Sequence, residues 1–314
     1  MDAPYARVIA DSSYATEAGP GVRLTTMEVC FHRFVLSEFN THRVFSRNSA
    51  SSRAIPIHKQ LAKLTEDLAV PLAWPTEQPG MQGGTDLDAD AAGAAEAEWR
   101  QLASITINAA AELKHLQVHK SVVNRVLEPY MWHTVVVTST AWSNFFAQRS
   151  SPLAQPEIRA VSELMEAAYA ASTPTELATG QWHLPYVQDD EHPATDGTDG
   201  TGGTGTAGWR ELARVSAARC ARTSYLTQAG VRDRTKDLAL YDRLVTARPA
   251  HWSPLEHVAT PWPENRAAGS LGFTDLDGVE LSVATDHLPR VGNLLGWRSL
   301  RTEVETAQRA VTFS

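Results

Sequence analysis

The chain has 314 residues, 43% of them hydrophobic and 20% charged, with a formal net charge of −8. That length can bury a sizeable core, as one large domain or two ordinary ones, and the composition is that of a soluble globular protein. The acidic balance argues against a general nucleic-acid binder, which must neutralise many phosphates.

Residues 22–36, VRLTTMEVCFHRFVL, are rich in β-branched and aromatic side chains and predict a strand. Residues 76–90, TEQPGMQGGTDLDAD, read as a loop. From Ala91 to about Arg125 the Ala-rich pattern, with Trp99, Leu102, Ile105, Leu113 and Leu116 near helical spacing, predicts a helix. WHTVVVT at 132–138 reads as a short buried strand, after which Ser139 or Thr140 would cap a helix through AWSNFFAQR. Ile158, Val161, Leu164, Met165 and Ala168 mark another amphipathic helix.

Composition then changes. Residues 189–208, DDEHPATDGTDGTGGTGTAG, have too little apolar surface to order themselves and read as a flexible linker between segments 1–188 and 209–314. Helical patterning resumes at WRELARVSAARCARTSYL, and DLALYDRLVTARPAHWSPLEH reads as a helix ended by a Pro-containing turn. Strand and loop material is expected for most of the rest. The N-terminus lacks an apolar signal-peptide core and no apolar run approaches a membrane span, so a cytoplasmic protein is expected. Cys30 and Cys220 have neither disulfide-framework nor metal spacing and read as buried small residues.

Against the acidic background, THRVFSRNSASSRAIP at 41–56 sits in a stretch without a carboxylate from Phe39 to Thr65. Arg forks, Ser hydroxyls and loop amides of that kind can cradle a phosphate, and Ser51, Ser52 and Arg53 are adjacent. Spacing alone equally allows a solvated Ser-rich loop. Two further stretches carry candidate chemistry: NFFAQRSSPLAQPEIR at 144–159 and HWSPLEH at 251–257. The first, taken alone, is compatible with ordinary helix-turn-helix packing. In the second, the histidine spacing is not that of a helical metal pair. His115 and His119 do have that spacing but lack the accompanying Glu, so no metal site is expected.

Taken together, these stretches resemble the flavin-dependent thymidylate synthases. The family pattern R-H-R-x-x-S-x-N-x-x-S-x-R is filled by His42, Arg43, Ser46, Asn48, Ser51 and Arg53, with Thr41 in the first place. Asn144, Phe145, Arg149, Ala154, Gln155, Glu157 and Ile158 match a second family signature, and His251, Ser253, Pro254, Glu256 and His257 a third. In typical members the third element precedes the first, and AARCARTSYL around Ser224 resembles a segment near their N-terminus. The resemblance therefore implies a circularly permuted chain, with 189–208 near the new joint.

What the resemblance implies is an α+β fold, a mixed sheet surrounded by helices, assembled as a homotetramer with shared active sites. It implies bound FAD and C5-methylation of UMP or dUMP, with methylenetetrahydrofolate as carbon donor and NADPH as reductant. Position by position, Ser51, Ser52 and Arg53, joined by Arg125, would hold the nucleotide phosphate, with Glu38 also on the substrate side. Arg149 would contact the uracil as the catalytic cation. His42, Arg43, Val44, Asn144, Ser224, His251, Ser253 and Glu256 would contact FAD. Thr41 for Arg, Ser49 for Glu, Glu38 for Gln, and Thr138 and Thr140 for an N-x-R pair are departures around the nucleotide seat, and they leave the sugar open. The alternative is a catalytically silent uridine-nucleotide-binding relative with a regulatory or assembly role.

Overall fold

A computed structural model of the chain describes residues 2–16, 19–178, 180–193, 204–225, 230–262 and 290–312. Its centre is a five-stranded sheet in the order Ser46–Ser49, Trp132–Ser139, Leu24–His32, Tyr5–Ser13, Thr175–Glu176. The neighbours pair antiparallel, except that Thr175–Glu176 runs parallel to Tyr5–Ser13. Around it lie α1 (Leu36–Asn40), α2 (Ile57–Glu66), α3 (Ala89–His115), α4 (Lys120–Val126), α5 (Ser143–Arg149), α6 (Pro156–Ala171), α7 (Thr204–Arg222), α8 (Arg234–Thr246) and α9 (Leu300–Thr312). This is an α+β fold built on a mixed sheet.

Every residue of Leu24–His32 is buried, because both faces of the strand are covered. On one face Met27 and Val29 stand opposite Val137 and Val135. They join Phe31, Phe39, Phe45 and the rings of α5 in an apolar core closed by Ile158, Val161 and Met165 of α6. Each such side chain contributes about 1.5–3 kcal/mol by leaving water.

The other face is polar and equally buried. Thr26 stands opposite Thr138, and their hydroxyls are 2.6 Å apart. His183 Nε2 lies 2.7 Å from the Thr26 hydroxyl, and its Nδ1 lies 2.8 Å from Ser12 Oγ. His257 Nδ1 lies 2.8 Å from the Thr138 hydroxyl. This five-residue chain of hydrogen bonds fastens the segments around 183 and 257 to the sheet, where a buried polar group without a partner would be costly. Behind it a second core gathers Leu212, Ala213 and Ala217 of α7, Tyr241 of α8, Leu255 and Leu300.

Several elements differ from the sequence reading. The predicted strand over 22–36 is extended only from Leu24 to His32, after which a 3-10 turn and α1 fold Val35 and Phe39 into the core. The helix expected to run to Arg125 stops at His115; Gln117 adopts φ 61°, and His119 starts α4 by accepting the Ser121 amide. Neither Ser139 nor Thr140 caps α5, whose N-cap is Trp142; Ser139 Oγ instead accepts the Ala141 amide at 2.9 Å. The tail of the expected linker is helical from Thr204, and its stretch 194–203 lies outside the described residues. Other elements were not anticipated, among them the strands Tyr5–Ser13 and Ser46–Ser49 and helices α2 and α9.

Candidate active site

The loop 41–56 leaves α1, pairs along the Trp132–Ser139 strand as Ser46–Ser49, and leads into α2. Its hub is Asn48, 6% exposed. The Asn48 amide donates to the Cys220 carbonyl at 2.7 Å. Its Oδ1 accepts from Ser224 Oγ at 3.3 Å and Ser253 Oγ at 3.2 Å. Ser51 N–H also donates to the Ser224 carbonyl at 3.0 Å. Residues near 48, 224 and 253, far apart in the chain, thus meet at one side chain. Sequence reading had Asn48 as a motif letter only, since its role needs tertiary neighbours.

Arg149, the last residue of α5, reaches back over the same loop. Its Nε donates to His42 Nε2 at 3.1 Å, and its Nη2 donates to the Thr41 hydroxyl at 2.9 Å and the Glu38 carbonyl at 3.3 Å. Three of the five guanidinium N–H groups therefore fix its orientation, and the two on Nη1 have no partner among the described residues. Thr41 Oγ1 donates its own hydrogen bond to the Glu38 carbonyl at 2.7 Å, so its oxygen is free to accept from Arg149. A second guanidinium at position 41 would set two like charges side by side.

His42 is 6% exposed, its ring 4.9 Å from that of Phe145 and stacked 5.8 Å from Phe45. Burial, with Arg149 and Arg47 nearby, pushes its pKa down to about 4. Its Nε2 is unprotonated, because it accepts from Arg149, and the ring is neutral at pH 7. His42 thus stands as a support for Arg149.

The residues assigned to phosphate divide. Arg53 is exposed and forms no ion pair among the described residues. Ser52, 3% exposed, donates to Glu128 at 2.7 Å. Arg125 and Arg33 each reach the same Glu128 oxygen at 2.8 Å. Burial alone would raise the Glu128 carboxyl, but Ser52, Arg33 and Arg125 outweigh it and hold it below the usual carboxylate range. Glu128 was missed in the sequence, although its place three residues after Arg125 on helical spacing is an ion-pair signal. Its carboxylate occupies two of the four groups assigned to phosphate. Glu128→Gln leaves the Arg33 side chain, 9% exposed, without its counter-charge. It should lower unfolding free energy by about 2 kcal/mol, read from urea denaturation at pH 7. An unchanged midpoint would contradict this pairing as a stabilising one.

The residues assigned to FAD lie mostly open. Arg43, Val44, Asn144, His251 and Ser253 are exposed, Ser224 is half-buried, and Glu256 is held by Arg301. Asn144 Oδ1 accepts from Gln148 Nε2 at 3.2 Å, within α5. Arg43, exposed and with no ion pair among the described residues, suits a phosphate of a dinucleotide, while the Ser224 and Ser253 hydroxyls, whose hydrogens go to Asn48, can only accept from such a ligand. Glu38, half-buried, contributes its carbonyl to Arg149 and accepts the Ser37 hydroxyl with its carboxylate. Among the described residues no group of His, Cys, Asp or Glu has a metal-binding arrangement, and no helix is long and apolar enough to cross a membrane.

Comparison with known proteins bears on part of this geometry. Residues 24–175, just under half the chain, match the model of the thymidylate synthase complementing protein family. The matched stretch includes Arg149 and the whole 41–53 motif. Ser224 and the 251–257 motif lie outside it.

Among solved structures, one similar chain is the UMP/dUMP methylase PolB from Streptomyces cacaoi bound with 5-Br UMP. It is 15% identical, with 54% of this chain and 90% of that one covered at a TM-score of 0.42. The same enzyme bound with 5-Br dUMP is 19% identical, with coverage of 47% and 67% and a TM-score of 0.36. The flavin-dependent thymidylate synthase ThyX from Helicobacter pylori, complexed with FAD and dUMP, is 16% identical, with coverage of 46% and 67% and a TM-score of 0.31. No curated protein matches the chain.

Proposed function

We propose that the protein is a flavin-dependent C5-methylase of a uridine 5′-monophosphate, UMP, dUMP or both. It would take its carbon from methylenetetrahydrofolate and its reducing equivalents from NADPH. The observation that carries this reading is Arg149: three bonds fix its orientation and its Nη1 is left to donate. A cation so placed can hold the negative charge that develops on a uracil ring as its C5 attacks the one-carbon unit. FAD, held by Arg43, Val44, Asn144, Ser224, His251 and Ser253 with Glu256 and His42 behind them, would supply the redox chemistry. The chain's own part is to seat the nucleotide phosphate on Ser51, Ser52 and Arg53, to aim Arg149, and to keep His42 neutral beneath it.

In this reading segments 1–188 and 209–314 form one catalytic unit in permuted order, flanking 189–208. Self-association into a tetramer would bring Arg125, whose side chain is 52% exposed, to a neighbour's phosphate. A catalytically silent nucleotide-binding relative is the rival reading; Thr41 in place of a cation and the engagement of Ser52 and Arg125 by Glu128 favour it.

Both rest on nucleotide binding, and Arg53 tests the seat. Arg53→Ala should weaken UMP or dUMP binding about tenfold while FAD stays bound, because a charge-assisted bond to phosphate is lost and nothing else moves. Isothermal titration with nucleotide, beside flavin absorbance of the same preparation, reads both. Equal loss of FAD and nucleotide would undo this division of labour.

A further inference from the structure

Helix α7 carries Arg210 and Arg214 one turn apart, both exposed, and neither forms an ion pair among the described residues. Like charges at that spacing oppose each other. A third guanidinium, Arg248, faces them from the loop after α8, its Nη1 donating to the Thr246 and Ala247 carbonyls at 3.1 Å. The three line a cavity of about 680 Å³, within the range of small-molecule sites. Its remaining wall includes Tyr241, Trp252 and Leu300, so an apolar surface stands beside the cations. Arg214 lies 5.8 Å from the centroid of the Tyr241 ring. The carboxylate in the lining, Glu303, is already paired with Arg298 at 2.5 Å.

Exposed arginines are ordinarily solvated and need no ligand. Here three with no ion pair among the described residues converge in a chain of net charge −8, around an aromatic wall whose acid is already paired with Arg298. We propose that this cavity is a second binding site, separate from the Arg149 centre, for a small organic anion with at least two negative charges and a flat apolar part. The charges meet Arg210, Arg214 and Arg248, and the flat part lies against Trp252 and Leu300. Guanidinium forks suit phosphate and carboxylate alike. Trp252 and Ala250 flank His251, so occupancy would reach the segment that carries the 251–257 motif.

Isothermal titration of the full chain, with FAD added to saturation, tests this with ADP as a phosphate probe and terephthalate as a carboxylate probe. Saturable binding of at least one probe is expected, weakening as ionic strength rises. The double variant Arg210→Ala/Arg214→Ala should weaken it about tenfold or more, and Arg210→Lys/Arg214→Lys should restore part of it. Which probe binds tells a phosphate ligand from a carboxylate one. Absence of saturable binding by either at millimolar concentration overturns the proposal, and so does binding unchanged in the alanine variant. Loss of flavin absorbance in that variant also overturns it, because the cavity would then be part of the cofactor seat. Both arginines are exposed, and the circular dichroism of each variant checks that the fold is kept.

Discussion

Moving from pH 7 to pH 5 should remove most of the protein's stability. His133, His183 and His257 are buried beside the sheet, and burial pushes each pKa down to about 3. Arg33 adds to the effect at His133 and His183 adds to it at His257, while Asp11 opposes it at His183. In the unfolded chain each ring titrates near 6.5. The folded pKa lies below the unfolded one, so the stabilisation is fully present above pH 6.5. It is lost as pH falls from there toward 3, where the unfolded chain binds protons that the folded one refuses.

Each ring costs roughly 2 kcal/mol between pH 7 and pH 5, so the three together cost about 6 kcal/mol, comparable to the whole stability of an ordinary domain. Urea midpoints measured at half-unit steps of pH should fall steeply across this window. A midpoint flat from pH 7 to pH 5 would mean that these rings accept protons without unfolding the chain. The physical reason for their resistance is burial, with Arg33 beside His133 and the hydrogen-bond chain from Ser12 to His257 holding the other two rings in place.

Arg219→Met should cost about 3–5 kcal/mol of unfolding free energy. Arg219 is 1% exposed and each of its three nitrogens is engaged. Nε donates to Asp237 at 2.9 Å, while Nη1 and Nη2 take the two oxygens of Glu191 at 2.7 and 2.6 Å. Nη1 also reaches the Tyr186 carbonyl at 2.8 Å. Removing it leaves Asp237, with no exposed surface, with Arg222 as its one ion-pair partner among the described residues. Arg219→Lys should recover less than half of the loss, since one ammonium cannot span both carboxylates. Urea denaturation of the three proteins at pH 7 measures this, and a loss below about 1 kcal/mol for the Met variant would contradict it. Because Cys220, next in the chain, accepts the Asn48 amide, the Met variant should also disturb the candidate site.

Much of the site was legible because it is written in contiguous letters. His42 to Arg53, Asn144 to Arg149 and His251 to His257 are local patterns that a reader can match without a fold. Their convergence was not legible: the meeting of Ser224 and Ser253 at Asn48 depends on how α7 and the 253–256 turn pack. The strand Tyr5–Ser13 escaped because Arg7, Asp11 and Ser12 break its apolar alternation. Those side chains are satisfied by Glu28, Arg23 and His183, partners distant in sequence. Helix α9 escaped for a related reason. Its Arg301 and Glu303 read as loop material, yet Arg301 pairs with Glu256 and Glu305, and Glu303 with Arg298. The break between α3 and α4 follows from Gln117 turning left-handed, which a run of helix-forming residues does not announce.

The central claim is that Arg149 stands over a uracil ring that this chain methylates at C5. The measurement that tests it most directly is turnover of UMP and of dUMP, side by side. Each reaction contains FAD, NADPH and methylenetetrahydrofolate labelled with deuterium in the transferred carbon, and the product is read by mass. The account predicts a labelled 5-methyl product from at least one nucleotide, falling about a hundredfold or more in rate in Arg149→Ala, the order seen when a single transition-state donor is removed. No labelled product from either nucleotide, with FAD still bound, would contradict the account and leave a nucleotide-binding relative without methylase activity.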